Sequence, residues 1–450
     1  MSVAGTRPEI IKMSPVLSAL EKEKEVENIF VYSGQHYDKE MAQVFLDELN
    51  LPKFDLNLKV GSGSHADQIS KMCLGLEKAI SKCSPHMILA EGDTNTVVGA
   101  SLISSKMHLP FGHVEAGLRC YDRMMPEETN RVIADHLAEL CFAPTERSAL
   151  NLLYEGISPK RILITGNTVV DVCLEYLDKT RQSEIVKKLG LERNSSIATV
   201  TLHRPENVDN PNRLKSIISA LIELPELRIV FPIHPRTKKM LSSIGLYRKL
   251  EQSHHILLAS PLSYFDFIAL LSRSLMVLTD SGGVQEEALT LQVPCLTLRY
   301  STERPETVAA GGNIIIGNKK EKIVSTVRKL LAYPGILKSM KFESNPLGDG
   351  KAGERIARLC LDWCRKGKGI ESPEYYESGS AEYELMKVSG KISGYSVNSL
   401  ESAHEGLVVT SVFDASGRPV FPSSGLILTE GGMIRLFGAP TSIKKIKAES

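Results

Sequence analysis

The chain has 450 residues, with 54 Lys+Arg against 53 Asp+Glu and a formal net charge of +1, so it lacks the electrostatic signature of a nucleic-acid or anionic-membrane binder. At 42% hydrophobic and 24% charged residues it falls in the ordinary globular range and is long enough for two or three cores. No apolar run reaches the roughly 18 residues of a membrane-spanning helix, and no basic-then-apolar leader opens the chain, so a cytoplasmic protein is expected.

A short strand of about three residues precedes the turn Gly5-Thr6-Arg7-Pro8. Val/Ile/Leu-rich runs then recur at 29–33, 86–90, 161–165, 197–202, 228–233, 256–259, 275–279 and 294–298, with a further short strand at Phe111–Val114 and helical stretches between them. Strand alternating with helix predicts an α/β fold with mostly parallel, doubly wound sheets. Residues 1–366 exceed one such sheet, which predicts two Rossmann-like domains, 1–170 and 171–351. The run 167–191 reads as a helix plus connector between them. The glycine-rich stretch 61–67 follows no clear strand and reads as a mobile loop. The Gly/Lys-rich stretch at 367–382 reads as a linker. The segment 383–448, with strand patterns ELMKV, LVVTSVFD and MIRLFG between Gly and Pro turns, reads as a small α+β module. Eight scattered cysteines form no dense framework and read as reduced thiols. Cys360 and Cys364, one helical turn apart, are two small packing side chains rather than half of a zinc site.

In doubly wound sheets the loops at the carboxyl ends of strands carry the site. LTDSGGVQEEA places Asp280, Ser281, Gly282 and Gly283 between a buried strand and a helix beginning near Val284. N–H groups there, reached closely across glycine, suit a phosphate, although an ordinary tight turn reads the same way. One turn into that helix, Glu286 or Glu287 faces back toward a ribose diol. Other post-strand loops are basic: Arg7 and Lys12 in GTRPEIIK, His203 and Arg204 in TLHRPEN, His234 and Arg236 in FPIHPRTKK, Arg304 in STERPE. Singly each is a surface charge. Together with Ser-Gly-Gly they form a set of donors for a diphosphate leaving group. Carboxylates form a third set, in which Glu91 and Asp93 stand immediately after the strand ending near Ala90. Asp93 reads as either a helix cap or a catalyst, and Glu127 and Glu128 as first-turn acids. Glu115 lies hard against a strand end and needs a cleft or a partner such as Arg119. Cleft carboxylates beside a nucleotide diphosphate invite acid/base chemistry on the attached sugar. No P-loop, dinucleotide fingerprint or metal-site DxD accompanies them, so no cofactor is expected, no metal ligands are assigned and divalent ions are expected to be dispensable.

The ordered blocks GTRPEIIK, SGQHYD, EGDTNTVVGA, HVEAGLR, PEETNR, APTERS, GNTVVD, TLHRPEN, FPIHPRT, DSGGVQEEA and TERPET closely resemble the non-hydrolysing UDP-N-acetylglucosamine 2-epimerase family over about residues 3–365. The resemblance implies GT-B architecture, a homodimer, a role in polysaccharide biosynthesis, and a last helix at 352–366 returning to the first domain. It further implies interconversion of UDP-GlcNAc and UDP-ManNAc by anti elimination of UDP and re-addition through bound 2-acetamidoglucal. By the same resemblance Asp93, Glu115 and Glu127 are acid/base residues and His203 sits near the leaving phosphate. Ser281, Gly282 and Gly283 hold the diphosphate, Glu287 the ribose, and Arg7, His234 and Arg304 the phosphates or sugar. Gln35 and His36 contribute to an activator pocket found in some members, against the bland reading of an ordinary loop. The first strand is shorter than is usual in the family. The tail, from GYSVNSL to GGMIRLFGAP, resembles the RCK-C or TrkA-C ligand-binding module of potassium-transport regulators, which implies dimerisation or binding of a small anionic effector. Three alternatives stay open: a hydrolysing relative that releases ManNAc and UDP, a transferase needing an acceptor, and a nucleotide-sugar sensor on the same fold. Free sugar in the products marks the first, and a sensor would not need Asp93, Glu115, Glu127 and His203 together.

Overall fold

The computed structural model describes residues 1–34, 46, 51–180, 183–191, 196–341, 345–366, 382–404, 407–420, 425–438 and 440–449. Seven strands form the sheet of the first lobe: β1 (Ser2–Ala4), β2 (Phe30–Tyr32), β3 (Leu56–Asn57), β4 (Ile88–Glu91), β5 (Phe111–Val114), β6 (Leu140–Ala143) and β7 (Ile162–Ile164). All pair parallel in the order β3-β2-β1-β4-β5-β6-β7. Six more form the second lobe: β8 (Ile197–Thr201), β9 (Arg228–Pro232), β10 (Ile256–Ala259), β11 (Met276–Thr279), β12 (Cys295–Thr297) and β13 (Asn313–Ile315). They are again all parallel, in the order β10-β9-β8-β11-β12-β13. Strand order reverses beside β1 in one sheet and beside β8 in the other, and crevices at such switch points are where α/β sheets bind ligands.

The strands are short, and helices cover both faces of each sheet, so their residues are buried on both sides and read as continuous apolar runs. β3, β6 and β13 extend the predicted set. The 61–67 stretch is not a loop throughout: helix His65–Cys83 begins within it, with Ser64 accepting from Asp67 N. The GlySerGlySer prefix hides a good N-cap.

Helix Arg7–Lys22 starts with a capping box in which Glu9 accepts from Gly5 N (2.7 Å) and Thr6 N (2.6 Å), and Pro8 lies in its first turn. Its apolar face shares a core with Val169, Val170 and Tyr176, with Tyr264, Ile268 and Leu289 of the second lobe, and with Ile356, Ala357 and Cys360. Helix Thr168–Thr180 packs on Arg7–Lys22 from one side and on helices Tyr264–Ser272 and Gly282–Thr290 from the other. The division drawn at residue 170 therefore falls inside an element shared by both lobes.

Helix Ala352–Arg365 lies along Arg7–Lys22. Its first turn is capped from outside: Asp171 accepts from Ala352 N (3.1 Å) and Gly353 N (2.8 Å). At Gly353 a Cβ would sit 2.5 Å from the Pro15 carbonyl carbon, so only glycine permits this approach.

The chain divides into two compact units, 1–368 and 369–450. In the second, β14 (Glu382–Lys387), β15 (Leu407–Phe413), β16 (Pro419–Val420) and β17 (Met433–Gly438) form an antiparallel sheet in the order β14-β17-β15-β16. Val397, Leu400, Ile443 and Ile446 of helices Val397–Ala403 and Pro440–Glu449 close its core over Met386, Val409, Ile434 and Leu436. Among the described residues no helix is long and apolar enough to cross a membrane.

Candidate active site

The loops following β1, β4, β5, β8 and β11 converge on one cavity of about 530 Å³ between the two sheets of the first unit. The first lobe supplies its carboxylates. Glu115 follows β5 at φ +69°, a left-handed conformation that costs a non-glycine residue of order 1–3 kcal/mol and is typical of functional sites. Its partners hold it there: Lys12 Nζ at 2.5 Å, Arg304 Nη2 at 3.0 Å and Asn167 Nδ2 at 3.4 Å. Burial works against the charge, but Lys12 and Arg304 outweigh it and keep Glu115 below the usual carboxylate range.

Asp93 receives Arg131 Nε (3.0 Å) and Nη2 (2.7 Å) on one oxygen. Burial again opposes ionisation, and Arg131 again overcomes it, so Asp93 is an anion. Glu127 lines the same cavity from the first turn of helix Pro126–Leu137.

The two loops are fixed from behind. His113 places Nδ1 2.6 Å from Asp135 and Nε2 2.8 Å from the Gly92 carbonyl, while Asp135 also accepts from Gly117 N at 3.1 Å. With acceptors on both ring nitrogens, His113 carries both protons. Burial resists this, and Asp135 and the carbonyl raise its pKa regardless.

Across the cleft, helix Gly282–Thr290 points its N-terminus into the cavity, with Ser281 as N-cap. Its first N–H groups lack intrahelical acceptors and its dipole favours an anion. A Cβ at Gly282 would lie 2.4 Å from Glu303 Oε1, whereas at Gly283 it would meet nothing within 4 Å. Asp280 braces the neighbouring loop, accepting from His203 N (3.1 Å), Arg204 N (3.2 Å) and Asn207 Nδ2 (3.2 Å). Burial, reinforced by Arg204, His234 and Arg236, lowers the His203 pKa below its ordinary value, Asp280 notwithstanding, so the imidazole is neutral. Buried Nη1 of Arg304 and Nε of Arg204 have no hydrogen-bond partner, and both side chains line the cavity. Burial and the adjacent Glu286 push Glu287 up to about 8.

A family profile described as UDP-N-acetylglucosamine 2-epimerase matches residues 18–361. The UDP-N-acetylglucosamine 2-epimerase of Methanocaldococcus jannaschii is 45% identical over 362 residues, covering 79% of this chain and 97% of that protein. The chain belongs to the UDP-N-acetylglucosamine 2-epimerase family. The crystal structure of the Methanocaldococcus jannaschii UDP-GlcNAc 2-epimerase in complex with UDP-GlcNAc and UDP aligns with a TM-score of 0.73 at 43% identity, covering 80% of this chain and 99% of that chain. The UDP-2,3-diacetamido-2,3-dideoxy-D-glucuronate 2-epimerase of Pseudomonas aeruginosa is 37% identical over 361 residues, covering 79% of this chain and 98% of that protein. Its two parallel-sheet α/β lobes have the architecture of its GT-B relatives, and this chain carries in addition a small antiparallel sheet in its second unit.

In this epimerase-family chain the cavity brings together Arg7, Lys12, Asp93, Glu115, Glu127, His203, His234, Ser281, Gly282, Gly283, Glu287 and Arg304. Arg236 is not among the lining residues: it pairs with Asp209 at the surface, its side chain about half exposed. Gln35 and His36 lie outside the described residues. The structure narrows three readings that the sequence left open. Arg119 binds Asp135 and Glu155 rather than Glu115, whose partners are Lys12 and Arg304. Thr94, not Asp93, caps helix Asn95–Lys106, which leaves the Asp93 carboxylate to Arg131. Glu286 turns to Arg304 and Asn167. The helix expected to begin near Val284 begins at Gly282, two residues earlier.

Sequence reasoning placed Glu91 among the cleft carboxylates without giving it a role, and it missed Arg131, His113 and Glu303. For Arg131 a signal existed: it stands three residues after Glu128 in PEETNR, on the helix face that meets Asp93.

Proposed function

We propose that the chain interconverts UDP-N-acetylglucosamine and UDP-N-acetylmannosamine without releasing free sugar. The supporting observation is the opposition, across one cavity, of two ionised carboxylates, Asp93 and Glu115, to a helix N-terminus flanked by a neutral His203 and the Arg304 guanidinium.

The chemistry follows from the bond to be inverted. The C2 proton of the sugar is barely acidic, so its removal is coupled to departure of UDP from C1, giving bound 2-acetamidoglucal. Helix Gly282–Thr290 and Arg304 hold the departed diphosphate, whose developing charge they offset. Neutral His203 meets the leaving oxygen, and Glu287 takes the ribose hydroxyls. Asp93, Glu115 and Glu127 supply a base on one face of the sugar and an acid on the other, each such step worth about 10²–10⁴ in rate. Re-addition of UDP with protonation from the opposite face completes the inversion. No redox cofactor enters this balance.

The test is proton NMR with UDP-GlcNAc in D₂O. The expected result is UDP-ManNAc carrying deuterium at C2. Accumulation of free ManNAc would replace this reading by the hydrolysing one, and no reaction at all would favour the sensor or a transferase awaiting its acceptor.

Residues 1–170 with 352–366, and 171–351, are taken as the two domains of a cytoplasmic homodimer, and 383–448 as an RCK-C-like module; residues 367–381 of the expected linker lie outside the described residues. The module's closed core between a four-stranded antiparallel sheet and two helices supports its independence. Its role is assembly or response to a small anionic effector. Deleting 371–450 is expected to change oligomeric mass in light scattering or the kinetic response to metabolites, and no change in either would refute that role.

A further inference from the structure

Five charged side chains meet where the lobes face each other: Lys12, Glu91, Glu115, Glu286 and Arg304. Lys12 Nζ lies 2.5 Å from Glu115, 3.2 Å from Glu91 and 3.9 Å from Glu286. Arg304 bonds Glu115 at 3.0 Å and also pairs with Glu286. Three carboxyls thus face two cations, and the Glu91 and Glu286 side chains are 2% and 0% exposed. A surplus buried carboxylate in such a place takes up a proton rather than remain ionised.

Geometry says which one. Glu286 has a guanidinium and the Asn167 amide (2.8 Å) on one oxygen. Glu115 has Lys12, Arg304 and Asn167. Glu91 and Glu286 each keep one oxygen without a hydrogen bond, but Glu286 has Arg304 and Asn167 on the other, whereas the cation beside Glu91 is Lys12, which lies closer to Glu115.

We infer that Glu91 is a neutral carboxylic acid in the working enzyme and acts as a positioning residue, seating the Lys12 ammonium against Glu115 without adding a charge. Lys12 and Glu9 face Glu91 from helix Arg7–Lys22, Glu115 from the loop after β5, and Glu286 from helix Gly282–Thr290. Burial raises Glu91 well above the usual carboxylate range, and Glu115 and Glu9 add to it, more than Lys12 can reverse. Burial also raises Glu286, to about 7, but Arg304 and the Asn167 amide hold its carboxylate, and it is this geometry that leaves the proton to Glu91. Glu115 then stays ionised and ready to accept the C2 proton, and the cluster as a whole is neutral. The role rests on the epimerase reading of the cleft, but the protonation state does not.

The experiment has two arms on the full chain. Infrared difference spectra at neutral pH, parent minus Glu91→Gln, should show a protonated-carboxyl C=O stretch that is absent from the variant. No such band overturns the inference, and this arm needs no turnover, so it is decided even if the epimerase reading fails. In the kinetic arm Glu91→Leu, which cannot hold Lys12, should lower kcat about tenfold and move the acid limb of the pH profile upward, with KM little changed. Glu91→Gln should rescue both. A hundredfold or greater loss in Glu91→Gln with normal UDP binding would mean that the Glu91 proton is transferred or its charge required, and would overturn the inference. If the leucine variant does not fold, the glutamine variant alone decides through both readouts.

Discussion

Glu115→Gln removes the carboxylate that Lys12 approaches at 2.5 Å and Arg304 at 3.0 Å, at a position already in the left-handed region. Two costs follow. Loss of a proton-transfer group is worth about 10²–10⁴ in rate, or roughly 3–5 kcal/mol of barrier. The second is structural and smaller, because neither cation is abandoned: Lys12 keeps Glu91 and Glu286, and Arg304 keeps Glu286. Losing one charged hydrogen-bond acceptor while the isosteric amide oxygen still accepts costs about 1–3 kcal/mol of stability. The variant should therefore fold, melt a few degrees lower and still bind UDP, since Glu91 can ionise in place of the lost carboxylate and keep the cluster neutral. Deuterium entry at C2, followed by NMR at saturating UDP-GlcNAc, should slow about a thousandfold, while titration calorimetry with UDP shows affinity retained. Turnover within a few-fold of the parent chain would refute the proton-transfer role, and loss of UDP binding would show that Glu115 acts through the fold.

Gly353→Ala drives a methyl group to within 2.5 Å of the Pro15 backbone, so differential scanning calorimetry should show a loss of about 1–3 kcal/mol for the first unit; an unchanged transition would refute the close helix approach. Glu287 sits at about 8 in the free protein, so at pH 7 it is protonated; if the ribose hydroxyls require its carboxylate, UDP binding should release up to one proton, read as a buffer-dependent enthalpy that Glu287→Gln abolishes. His113 has a raised pKa when folded, so the stability it confers is fully present below about 6.5 and fades as pH rises through the folded value. Denaturant unfolding of His113→Gln should accordingly show its deficit at pH 6 and little at high pH, and a deficit independent of pH would mean the ring is neutral.

The loops were legible because parallel sheets put every strand's carboxyl end on one side, so the residue after an apolar run is a cleft residue almost by topology; Asp93, Glu115, His203 and Ser281 follow from that rule alone. Partners were not legible. Glu115 and Arg304 are 189 positions apart, and nothing local distinguishes Arg304 from Arg119, four residues from Glu115, as its counter-ion. Arg236 failed for a related reason. The side chain capping its helix is that of His234, so the cleft-facing position is taken and Arg236 points away to Asp209. Glu91 reads as a residue just past a strand and gives no sign of charge state, because the surplus that protonates it exists only once two lobes have met.

The last helix has a consequence for how the chain is made. The apolar side of Arg7–Lys22 emerges from the ribosome first, yet Ile356, Ala357 and Cys360, which cover it, come roughly 340 residues later. At about 5–20 residues per second that interval is some 15–70 s, during which the first lobe waits with an uncovered helix face and the second lobe is completed. The face of helix Arg7–Lys22 is therefore completed only once the chain has been made through residue 365, and a pause in synthesis between 180 and 350 lengthens the time for which it stays uncovered.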